Sequence, residues 1–139
     1  MNKTFVIAWL AAFIAWMAGD FGVHGAWLVP QYMALASLYR PEAEQMAFLP
    51  WNLGAHVVMS AAFVWIYARG VNASPWMGQG VRYGVAIGCL MAMPYFIYYS
   101  IQPLPQSLVL SQVAGCFATM IVTGIVTAFC YRGSTKPAA

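Results

Sequence analysis

One carboxylate and both histidines stand inside hydrophobic stretches of this chain: Asp20, His24 one helical turn further on, and His56 in the next stretch. A carboxylate and two imidazoles at one level of a bilayer are costly to keep there, and such residues mark a functional site by default. Counted by helical rise from Phe5, Asp20 lies ~22 Å up a hydrocarbon slab of ~30 Å, roughly 8 Å below its outer boundary. His56 is five residues beyond Trp51 and reaches a similar depth. Asp20 and His24, at i and i+4, share a helix face. Gly19, Gly22, Gly25 and Gly54 leave room around them, and Asn52, Tyr95, Tyr99 and Gln112 fall at comparable depth as supporting polar groups. Pro94 frees a backbone carbonyl beside Tyr95. These residues predict one polar pocket, opening toward the outer face, with no counterpart in the inner half.

Three kinds of chemistry fit the trio. One is a site for a small ligand or metal ion, since a carboxylate with two imidazoles suits a first-row metal. Met17 and Met59, one turn from Asp20 and His56, would add thioethers that favour copper. The second is a single b-type haem held between His24 and His56. Two histidines allow only one haem, which excludes a multi-haem path across the membrane. The third is helix glue, since interhelical polar contacts in membranes contribute ~0.6 kcal/mol on average. No nucleophile with a paired base stands out, so binding rather than catalysis is the expectation.

The elements that must carry these residues follow from hydropathy. Charged residues make up 6% of the chain and hydrophobic ones 63%, too few charges to cover a water-facing surface. Apolar stretches at 4–28, 49–68, 81–101 and 108–131 each meet the ~20-residue span of a membrane helix. The predicted fold is therefore all-α, one domain, a four-helix membrane bundle. The first stretch is longer than a signal-peptide core of about 7–15 residues and is read as a retained helix. Pro30 ends it, and an interfacial segment covers 31–39. Arg40-Pro41-Glu42-Ala43-Glu44 reads as a helix start, so the second helix runs from 42 to 68 with a kink at Pro50. Glu42 or Glu44 could guard the pocket mouth.

Gly80, Gly84, Gly88 and Ala92 form a small-residue stripe on the third helix, and Ser111, Gly115, Thr119, Thr123 and Thr127 form one on the fourth. Such stripes let backbones approach closely. The short 102–106 loop favours their facing each other in a hairpin, with a homo-oligomer seam as the other use. Cys89, Cys116 and Cys130 show no CxxC spacing and are read as packing residues. Trp27, Tyr32, Trp51, Tyr98 and Tyr99 are placed in an outer aromatic belt, and Trp65, Tyr67, Trp76, Tyr83 and Tyr131 in an inner one.

Lys3, Arg69, Arg82, Arg132 and Lys136 fall on one side of such a bundle and Arg40 alone on the other. This bias puts both termini in the cytoplasm. It also accounts for the net charge of +3, so nucleic acid is not an expected partner, and it separates the chain from small multidrug exporters that insert in both orientations. The stretches Gly19-Asp20-Phe21-Gly22-Val23-His24-Gly25, Tyr39-Arg40-Pro41-Glu42 and Leu53-Gly54-Ala55-His56 resemble small four-helix bacterial membrane proteins classed only as domains of unknown function. The resemblance covers mainly the first half of the chain. It implies a compact four-helix fold in a bacterial inner membrane and carries no activity. Expected partners are the lipid bilayer and either further copies of the chain or a larger membrane complex.

Overall fold

The computed structural model describes residues 2–133, with Glu42 through its backbone alone. Lys136, counted above for orientation, and the Glu42 side chain lie outside the described residues. Over these residues every regular element is a helix. Helix α1 (Lys3–Asp20) continues into a π-helical stretch, Phe21–Trp27. The short α2 (Val29–Met33) and a 3-10 turn, Ala36–Leu38, lead to α3 (Glu42–Gly70), α4 (Trp76–Ile101) and α5 (Gln106–Cys130). Four segments are long and apolar enough to cross a membrane: Lys3–Trp27, Ala43–Gly70, Trp76–Ile101 and Gln106–Cys130.

Local chemistry sets the boundaries. The Asn2 side chain accepts the Thr4 N–H and caps α1, which satisfies one of the donors a helix start leaves free. Pro41, Pro75 and Pro105 precede α3, α4 and α5. Proline has the backbone angle of a helix start and no N–H to leave unpaired. Pro50 and Pro94 stand inside α3 and α4, which run on through them. The carbonyls of Met46 and Leu90, four residues earlier, thereby lose their helical donors.

The long helices pack in the spatial order α3, α1, α5, α4. Between α4 and α5 the backbones meet at the expected glycines. A methyl on Gly84 would lie 2.5 Å from the Met120 carbonyl oxygen and 2.6 Å from Ile121 Cα, and one on Gly80 2.7 Å from the Gly124 oxygen. Gly88 abuts the Phe117 ring, and Ala92 is fully buried on the same stripe. The expected partner stripe on α5 turns elsewhere: Gly115 accommodates Val23, and Thr119 fills the space left by Gly19, both from the first span. Residues 119 and 120 point about 100° apart around a helix, so α5 offers Gly115 and Thr119 to α1 and the row Met120, Gly124 and Ala128 to α4.

Helix α3 joins α1 through a polar clasp. The Trp9 indole N–H donates to the Val57 carbonyl and to Ser60 Oγ, each at 3.1 Å. Beside it the main core gathers Trp16, Phe63, Val64, Tyr67 and Met120. A second apolar cluster of Leu28, Leu104, Leu108 and Val109 pins the chain after the π-helical stretch onto the α4–α5 turn. From residue 43 to residue 55, by contrast, α3 is exposed at every position.

Candidate functional site

Asp20 is the last residue of regular α1, and His56 is the first buried position of α3 after its exposed half. Antiparallel packing brings the two together, with Asp20 Oδ2 2.9 Å from His56 Nε2. The other imidazole nitrogen, Nδ1, lies 2.9 Å from the Asn52 carbonyl. A carbonyl only accepts, so Nδ1 carries a hydrogen and Nε2 faces the carboxylate as the exchangeable position. The pair then holds one proton between Nε2 and Oδ2, either as imidazolium and carboxylate or as imidazole and carboxylic acid. Both forms are neutral overall, the arrangement that a low-dielectric site tolerates best. Trp16 stands edge-on to the imidazole at 6.0 Å. His56 is buried, whereas the Asp20 side chain is 32% exposed.

His24 belongs to a different group. It lies within Phe21–Trp27, where i→i+5 bonding replaces the α-helical ladder; the Leu28 N–H donates to the Val23 carbonyl at 2.9 Å. Residues four apart still lie about one turn from each other there, but the Asp20 and His24 side chains take different hydrogen-bond partners. His24 Nδ1 meets the Tyr32 hydroxyl at 2.6 Å, and Nε2 lies 3.4 Å from the Tyr95 hydroxyl. Both tyrosine rings lie nearly parallel to the imidazole, 6.0 and 6.4 Å away. Gln112 of α5 donates to the Tyr32 oxygen at 3.1 Å. A neutral imidazole donates from one ring nitrogen and accepts at the other, so Tyr32 and Tyr95 take opposite roles toward His24. Burial raises the Tyr32 phenol above its ordinary range, the Gln112 bond opposes this, and the Tyr39 and Asp20 charges add to the rise. Tyr32 therefore stays a neutral phenol at physiological pH. Gln112 is buried, and its Oε1 has no partner among the described residues.

Several expected roles change. Asn52 contributes its backbone carbonyl while its side chain is exposed. Tyr99 is exposed on α4 and joins neither group. Met59 packs against the main core, and Met17 is half-buried on α1. Gly22 and Gly54 are exposed, with nothing within 4 Å of an added methyl, and Gly25 lies against the Phe21 ring. Among the described residues no three His, Cys, Asp or Glu side chains converge as a metal set. All four imidazole nitrogens already face protein partners, so His24 and His56 do not present free lone pairs to one haem iron. Sequence reasoning passed over Tyr32, assigned to the outer belt, and Trp9. Pro30, in the first turn of α2 just after the bend at Leu28, is the one signal that the first helix does not simply run on past Trp27.

The opposite end is also more polar than expected. Gln79, buried, accepts the Asn72 N–H and donates to the carbonyls of Asn72 and Ser74, stapling the 71–75 connection. Two adjoining clefts of about 250 and 190 Å³ flank this staple. Tyr67 and Tyr131 are buried there, with their rings tilted against each other 5.6 Å apart, rather than forming a belt. Asp20, His24 and His56 line neither cleft. No protein family, no curated protein and no solved structure matches this chain.

Proposed function

We propose that this chain is a multi-pass protein of a bacterial inner membrane, with both termini cytoplasmic. Its outer-half site binds a small hydrogen-bonding ligand and exchanges a proton with it. The observation that carries this reading is the buried Oε1 of Gln112, without a partner among the described residues, beside His24, Tyr32 and Tyr95. A buried acceptor without a donor costs about 1–3 kcal/mol, and a ligand hydroxyl, amine or water would offset that cost. The partly open Asp20–His56 pair supplies the exchangeable proton, and passage of the ligand or proton across the bundle is the natural extension. Orientation rests on the lysine and arginine bias, and the bacterial source on the resemblance in the first half of the chain. A metal ion is the weaker occupant, because the carboxylate and His24 turn to separate partners.

A second reading, an accessory subunit of a larger membrane complex, is favoured by the exposed half of α3. Trp51 is 78% exposed there, with Met46 and Val58 close behind. One experiment separates the two. Protein purified gently from its own membranes is weighed by native mass spectrometry beside Gln112→Leu and His24→Ala. A small-molecule adduct present in the wild type and lost in both variants is the expected result. A bare chain, or one bound to unrelated subunits and unchanged in the variants, would make the polar groups helix glue and the protein an accessory subunit.

A further inference from the structure

We propose that the corner between α3 and α4 is a binding site for a phosphate group, carried either by a lipid headgroup or by a soluble phosphate. It is independent of the outer-half site. The smaller cleft is bounded by the start of α4 at Trp76 and by Ser74, Tyr67 and Arg132. Pro75 caps α4 without a side-chain bond, and the first ladder bond runs from the Gln79 N–H to the Pro75 carbonyl. The N–H groups of Trp76, Met77 and Gly78 therefore have no acceptor among the described residues. A helix of 26 residues presents positive charge at such an end, and an anion answers both needs.

Tyr67 is an independent sign of a ligand. It walls both clefts and is 4% exposed, and its hydroxyl has no hydrogen-bond partner among the described residues. Buried donors of this kind call for an acceptor. Two guanidinium groups complete the site. Arg132 lines the smaller cleft, and Arg82 lines the larger one and folds back so that its Nη1 lies 3.3 Å from where a Gly78 methyl would stand. Among the described residues the one ion pair is Asp20–His56 at the other end, so neither arginine is matched by a described carboxylate. Arginine's fork suits phosphate oxygens. The staple through Gln79 fixes the loop before any ligand arrives, which lowers the ordering cost of binding. Clefts of about 250 and 190 Å³ fall below the usual range for drug-sized ligands, roughly 300–1,000 Å³, and suit a phosphate head better.

The test uses the full chain in a sugar detergent. Phosphatidylglycerol and phosphate-free diacylglycerol are offered separately and read by native mass spectrometry, and labelled orthophosphate is read by equilibrium dialysis. Variants are Arg132→Gln, Arg82→Gln and Tyr67→Phe, which keeps the ring, with Arg40→Gln at the far end as control. The expected result is binding of a phosphate-bearing probe, weakened about tenfold by either cleft arginine variant and several-fold by Tyr67→Phe, and unchanged by Arg40→Gln. Binding of phosphatidylglycerol alone assigns a lipid headgroup; binding of orthophosphate as well, or instead, assigns a soluble phosphate. Equal retention of diacylglycerol, no binding of either phosphate probe, or equal loss in Arg40→Gln would overturn the proposal.

Discussion

At the scale of single residues, the deciding feature is which partner each imidazole nitrogen takes. His56 spends Nδ1 on the carbonyl of its own helix and turns Nε2 to Asp20, whereas His24 spends both nitrogens on tyrosine hydroxyls. One histidine is thus coupled to a carboxylate and the other to neutral phenols. The Asp20–His56 bond joins two helices, and its energy belongs on the scale of membrane polar contacts, between ~0.6 and ~1.7 kcal/mol. A double-mutant cycle with Asp20→Asn and His56→Gln, followed by unfolding in detergent, should return a coupling of about 1 kcal/mol. A coupling near zero would mean that the two side chains stabilise the fold independently, and the clasp at Trp9 would then be the main polar link between α1 and α3.

At the scale of elements, glycine has opposite meanings in different places. At Gly84 the obstacle to a side chain is the α5 backbone itself, at Met120 and Ile121, which cannot turn aside as a side chain can. Gly84→Ala should therefore destabilise the bundle by about 1–3 kcal/mol through overpacking. At Gly22 nothing lies within 4 Å of an added methyl, and Gly22→Ala should be neutral or stabilising by up to about 1 kcal/mol. Thermal unfolding of the two variants side by side tests the pair. The reverse order would mean that α4 and α5 are not in close backbone contact.

At the scale of the whole molecule, the bundle is tightly packed on one side and open on the other. Helices α1, α4 and α5 meet through small residues, while the first half of α3 stands free of all of them. In a bilayer that half-helix meets lipid or another chain. With the proposed orientation, cysteines placed at Ser74 and at Gln102, in a background lacking Cys89, Cys116 and Cys130, should label from opposite faces. A membrane-impermeant thiol reagent added to intact cells should reach position 102 and miss 74. Labelling at 74 alone would invert the proposed orientation, and would move the polar groups around Asp20 to the cytoplasmic side.

What the sequence by itself determined is the part governed by local rules. Hydropathy over some twenty residues at a time sets the number and extent of the long helices, prolines mark where they start, and four-residue spacing of glycine marks where α4 can approach a neighbour. The early start of α4, at Trp76 rather than 81, needed the Gln79 staple across the loop, which no window of hydropathy contains. Tertiary structure alone decided how the polar residues divide. The i and i+4 spacing of Asp20 and His24 sets them one turn apart without deciding which partner each side chain takes. Packing of Leu28 against the α4–α5 turn after the π-helical stretch Phe21–Trp27 sets Tyr32 and Tyr95 beside His24, while α3 brings His56 to Asp20. Likewise the row of small residues on α5 was legible, but which neighbour it serves depends on the rotation of the helix about its own axis. That rotation is fixed only when all the faces pack at once.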